Sequence, residues 1–241
     1  MKLTLTYMRA STLELLRYPA YSLPALSFPT LLFLLFAAPR SAYADHVMAG
    51  FAAVAVLGVV FFQFGVGIAA ERVSPWEIFL RTLPVSPRVR IGSRVASALL
   101  FAAAAASLVV GAALTSTSAG LPLSRWPLFA AALLVGAVPF ALLGIALGYL
   151  VWPKAALPVA NLIYLPLSYL GGLWTGPRDL PEFAAALSPL VPTRAWGDVL
   201  SAAIGSERWD WRPPLLLVGY GAAFGALAVW GYRRDEGERF S

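Results

Sequence analysis

Six runs of about 20 apolar residues limit what this chain can fold into. They are Pro19–Ala38, Val47–Ala70, Val95–Leu114, Trp126–Val151, Ala155–Trp174 and Pro213–Tyr232. Each is long enough to cross a bilayer as a helix, and none has a formal charge in its middle. Lipid offers the backbone no hydrogen-bond partner, so an apolar run of this length must satisfy its own amides and carbonyls, as a helix does. Of the 241 residues 59% are hydrophobic and 12% charged, about half the charge of a soluble domain. The expected class is an all-α integral membrane protein, one transmembrane domain over residues 1–241 with six transmembrane helices.

Between the second and third runs lies ERVSPWEIFLRTLPVSPRVRIGSR, Glu71 to Arg94, with five arginines and two glutamates. One arginine at the centre of a spanning helix costs about 2.5–3.5 kcal/mol on the insertion scale, so five exclude a seventh span. This segment must lie in water or at the interface. With the N-terminus in the cytoplasm, twelve of the eighteen Lys and Arg residues fall on the inside, while the acids divide evenly. The positive-inside rule therefore places both termini and residues 71–94 in the cytoplasm. Residues 1–18 gather Lys2, Arg9, Glu14 and Arg17 on one helical arc and Leu5, Met8, Leu15, Leu16 and Tyr18 on the other. That pattern predicts an amphipathic interfacial helix leading into the first span. The SAYA stretch before Asp45 is like a leader cleavage site, but so long an amphipathic lead-in favours an uncleaved first span.

Several chemistries are excluded. There is no cysteine, and His46 is the single histidine, so thiolate chemistry and multi-histidine metal sites are out. Neither Lys2 nor Lys154 sits in a phosphate-binding glycine loop. The arginines cap apolar runs and make no basic face for nucleic acid. No span holds Asp or Glu, which counts against a gradient-driven transporter or channel, and no nucleophile–base set points to a membrane-embedded enzyme. The expectation is a non-enzyme without a cofactor of its own.

The spans are broken by Pro19, Pro24, Pro29, Pro139, Pro158 and Pro166, each of which frees backbone carbonyls. Gly144–Gly148 and Gly221–Gly225 have the spacing that lets helices approach closely. Gln63, Asn161, Tyr164 and Ser168 are the main polar side chains within spans. They are candidates either for interhelical hydrogen bonds or for a substrate pathway. Residues 175–212 show helical spacing at Leu180, Phe183, Leu187 and Leu190 and again at Trp196, Val199, Leu200, Ala203 and Ile204. Two short helices at the outer leaflet are expected, with Trp196, Trp209 and Trp211 as interface aromatics.

These features together resemble the membrane (permease) subunit of ABC type-2 exporters. Three stretches carry the resemblance: Glu71–Arg94, Leu157–Trp174 and Leu180–Leu200, about half the chain. The first keeps Glu71, Arg72, Glu77, Leu80, Leu83, Pro84, Val85 and Ser86 of that family's pattern. It departs at Val73–Trp76, where an acidic residue and glycine are usual. The resemblance implies a cytoplasmic coupling helix in 71–94 that docks on a separate ABC ATPase subunit, which binds ATP and Mg. It also implies a second permease subunit, as homodimer or heterodimer, in a bacterial or archaeal cytoplasmic membrane. The residues agree with docking: Trp76, Phe79, Leu80 and Leu83 form an apolar anchor flanked by Glu71, Arg72, Glu77 and Arg81, and Pro84 stiffens the turn back to the membrane. Besides protein partners, membrane lipid is the expected surrounding.

Overall fold

In a computed structural model, the structure describes residues 19–37, 44–74 and 87–240. Among these there is no strand, and the helices follow the apolar runs. α1 is Pro19–Leu32, widening into a π turn at Phe33–Ala37. α2 runs Ala44–Glu71 with a π turn at Phe62–Val66. α3 is Pro87–Ser116, α4 Trp126–Gly136, α5 Val138–Leu150 and α6 Pro153–Leu170. The short α7, Glu182–Leu187, and α8, Pro192–Ile204, precede α9, Arg212–Phe240.

Among the described residues, four stretches are long and apolar enough to cross a membrane: Ala44–Glu71, Arg94–Ser116, Leu123–Leu150 and Arg212–Glu236. They make the chain a multi-pass, all-helical membrane protein. The first apolar run appears as the shorter apolar helix Leu26–Phe36. The fifth folds as α6, whose 18 residues include Lys154, Asn161 and the internal prolines Pro158 and Pro166. Those residues lower its hydropathy below that of the other four. The interfacial helix expected over 1–18 lies outside the described residues.

α2 is the axis of the bundle. Its membrane-length window is 83% buried within the protein, against 17% for α9. α1, α3, α5, α6 and α8 all pack on it, and Phe51, Val54, Leu57 and Phe61 are fully enclosed. Hydrocarbon outside the bundle is as apolar as these side chains, so close fit and interhelical hydrogen bonds hold the helices together. Gly148 of the Gly144–Gly148 pair shows the fit. A Cβ there would stand 2.7 Å from Ile68 Cβ and 2.8 Å from Phe64 O on α2. Gly221–Gly225 faces Pro139 and Leu142 of α5 at ordinary contact, with 3.6 Å to each from an added Cβ.

The fourth run breaks at Ala137, two residues before Pro139, into α4 and α5. Proline supplies no amide and its ring crowds the preceding turn. Trp196 of α8 fills the break: its indole Nε1 donates to Ala132 O at 3.0 Å, and its ring stacks on Phe140 with centroids 5.2 Å apart. Trp196 is therefore a core residue with no exposure, not the interface aromatic expected from its place in an outer loop. Trp209 and Trp211 are exposed, at 49% and 70%. Pro158 and Pro166 leave α6 unbroken.

A Cβ at Gly136 would fall 2.0 Å from Trp196 Nε1, whereas one at Gly219 meets nothing within 4 Å. Gly136→Ala should cost about 1–3 kcal/mol as an overpacked core. Gly219→Ala should be neutral or slightly stabilising as a better helix former. Thermal unfolding in detergent, read by the monodisperse fraction, checks both.

Candidate functional site

Arg72 stands at the end of α2, where the chain turns out of the helix with Ser74 N donating to Glu71 O at 2.8 Å. Its guanidinium faces inward. Nη1 donates to Tyr149 O at 2.8 Å and to Asp235 Oδ1 at 2.7 Å, and Nη2 donates to Val151 O at 2.8 Å. Tyr149 and Val151 flank the C-terminus of α5, where carbonyls lack helical partners and the helix dipole attracts a cation. Asp235 comes from the far end of α9, 163 residues away in sequence. Both side chains of the pair are only 13% exposed. Tyr149 and Tyr232 pack edge to face beside it, centroids 5.3 Å apart.

Glu71 turns the other way. Both of its carboxylate oxygens receive Arg94 at the base of α3, with Nη2 to Oε1 at 2.9 Å. Arg94 Nη2 also donates to Gln63 O at 3.3 Å, at the π turn of α2. Gly67 leaves room for that guanidinium, since a Cβ there would lie 2.9 Å from it. The dipeptide Glu71–Arg72 thus ties α2 to α3 through one residue and to α5 and α9 through the next.

Of the residues expected to dock a partner, Glu71 and Arg72 are placed here in intramolecular pairs, with Glu71 still half-exposed at 53%. Trp76, Glu77, Phe79, Leu80, Arg81, Leu83 and Pro84 lie outside the described residues. The polar span residues do not gather into one lining. Tyr164 OH donates to Val54 O at 3.2 Å, Ser168 Oγ donates to Leu165 O and receives Trp174 Nε1, and Asn161 Nδ2 bonds Leu157 O within its own helix. These three act as structural bonds. Gln63 differs: it is 6% exposed and its Nε2 is buried without a partner.

At the opposite end of the bundle, His46 Nδ1 and Ser201 Oγ are 3.2 Å apart, and Asp45 Oδ1 accepts from Gly120 N at 2.8 Å. Arg194 Nε donates to Asp198 Oδ1 at 2.8 Å along α8. Burial pushes the Asp198 carboxyl above its ordinary value, and the Arg194 partner offsets this only in part. The Arg194–Asp198 pair is a wall shared by two recesses. One is a gap of about 10 Å³ bounded by His46, Gly50, Gly171, Leu173 and Ser201, room for about one water. The other is a larger recess of about 140 Å³ toward Trp209. None of the four polar span residues lines either. Among the described residues no group of His, Asp and Glu could hold a metal ion.

The knot joins Arg72 to Asp235 and to two backbone carbonyls, and Glu71 to Arg94, pairings that no local pattern in the sequence marks. The one available signal was the charge of Arg94 and Asp235 at the edges of apolar runs, which fixes depth but not pairing.

Fold and site define a multi-pass helical membrane protein with a partly buried ion-pair knot at one end. No family model matches the chain, and no solved structure matches it. Among curated proteins it is similar to "Putative transport permease YvfS" of Bacillus subtilis (strain 168). The two are 21% identical over 198 residues, covering 82% of this chain and 80% of that protein.

Removing one partner of this partly buried pair should cost between the about 1 kcal/mol of a surface pair and the about 3–5 kcal/mol of a fully buried one. Arg72→Gln and Asp235→Asn should each lower the unfolding temperature strongly, and the double variant should cost less than their sum. Glu71→Gln, at a half-exposed pair, should cost under about 1 kcal/mol. Unfolding of the unaltered chain and these four variants in one detergent tests this as a double-mutant cycle with a surface control.

Proposed function

We propose that this chain is the permease subunit of an ATP-driven exporter. Six spans would carry the substrate pathway, a second permease subunit would complete it, and a separate ABC ATPase would bind segment 71–94 from the cytoplasm. The α1 and α6 helices serve as the first and fifth spans, α6 by virtue of its length of about 27 Å at 1.5 Å per residue.

The observation that carries this reading is the convergence at the Arg72 end. The roots of the arginine-rich 71–94 segment, the turn before Lys154 and the charged end of α9 meet there. The arrangement suits energy transfer. A segment pushed by a motor must be anchored to the helices it is to move, and here its roots grip α2, α3, α5 and α9 through charge-assisted hydrogen bonds. Such bonds are about twice as strong as neutral ones. The similarity to a protein named as a transport permease supports the same reading. The lack of carboxylates among the six apolar runs favours an external energy source over a proton relay. Under this reading ATP and Mg are bound by the partner, and this chain performs no chemistry.

The test is recovery of an ATPase chain with tagged permease from native membranes. The complex should hydrolyse ATP faster than the free ATPase. Trp76→Ala combined with Glu77→Ala should lower recovery by more than about tenfold, the loss expected for an interface hot spot. Full recovery and full stimulation with that variant would show that the segment does not dock.

A further inference from the structure

We propose that the recess beside the start of α9 binds a zwitterionic phospholipid headgroup, its phosphate on Arg208 and its ammonium on the Asp198–Glu207 side. The recess measures about 140 Å³ and is lined by Arg194, Asp198, Glu207, Arg208, Trp209 and Asp210. It sits at headgroup depth, because the membrane-length helix α9 begins beside it at Arg212. Trp209 and Trp211, exposed and edge to face at 5.6 Å, mark the same level. Tryptophan favours the headgroup layer, where one edge of the ring is apolar and the other wet.

The charges are unevenly committed. Arg194 holds Asp198. Asp210 Oδ1 accepts from Arg212 N at 3.1 Å. Glu207 meets Arg178 at 3.6 Å, but Arg178 is 83% exposed, and a surface pair of this kind is weak. Arg208 has no protein partner among the described residues. The recess therefore presents one uncommitted guanidinium, a loosely held carboxylate and a tryptophan face. The partly desolvated Asp198 carboxylate, only in part offset by Arg194, would gain from a further cation.

An anionic headgroup alone would face three carboxylates, and a cation alone would meet two guanidiniums. A headgroup with phosphate and ammonium a few bonds apart satisfies both: guanidinium forks match phosphate oxygens, and an ammonium binds carboxylate and ring face. This inference needs α9 to span the membrane but does not rest on ATP coupling, so it can fail or stand independently of the proposed function.

The test uses the full chain in detergent, titrated with phosphatidylethanolamine and phosphatidylglycerol of identical acyl chains and read by native mass spectrometry. Phosphatidylethanolamine should be retained about tenfold better, the scale of one charge-assisted contact. Arg208→Gln with Glu207→Gln should erase the preference, and Glu207→Lys should turn it toward phosphatidylglycerol. Soluble phosphoethanolamine should displace the bound lipid where inorganic phosphate does not. Equal retention of the two lipids by the unaltered chain overturns the proposal, as does a preference unchanged in both variants. Displacement by inorganic phosphate as effective as by phosphoethanolamine would make this a simple anion site and also overturn it.

Discussion

The inward-facing, partly buried guanidinium of Arg72 is the constraint on which the rest of this bundle depends. A charge with 13% exposure at the end of the central helix must be matched. The match comes from two backbone carbonyls at the end of α5 and a carboxylate from α9. Those partners fix where α5 stops, how deep α9 reaches and how both meet α2. Glu71, one residue earlier, repeats the device toward α3. In lipid, where burial of apolar surface between helices brings little, two adjacent charged residues at a helix end supply the register that apolar packing leaves undetermined.

The opposite end adds close shape fit to its Arg194–Asp198 pair. Trp196 enters the break before Pro139, and Gly136 is the residue that admits it. Gly171 and Gly50 let the turn after α6 lie against α8 and α2, with an added Cβ at 2.4 Å from Thr193 Oγ1 and 2.2 Å from Leu173 O respectively. The Arg72 end is thus held by ion pairs, and the other by close-packed rings and glycines together with the Arg194–Asp198 pair.

Much of this was legible in the chain. Apolar run length gave the helices, Pro139 gave the break, Gly144–Gly148 gave a close contact, and the spacing around Leu187 and Leu200 gave the two short helices. Each depends on local period or local sterics. The remainder depends on partners distant in sequence. Nothing near Trp196 says that it faces a broken helix 64 residues earlier, so its outer-loop position pointed to the interface instead of the core. Nothing near Arg72 names Asp235. Tyr164 and Ser168 read equally well as pathway or glue until their acceptors, Val54 O and Leu165 O, are seen. Pro158 and Pro166 are alike with Pro139 in sequence, yet only the last coincides with a break.

The proposed function requires the Arg72 end to face the cytoplasm and the Trp209 end to face outward. The chain has no cysteine, so single introduced thiols report sidedness without background. Val73 and Ser206 are both exposed, one at each end. In intact cells a membrane-impermeant maleimide should label Ser206→Cys and spare Val73→Cys, which should label only after permeabilisation. Labelling of Val73→Cys in intact cells, with Ser206→Cys protected, would contradict the account.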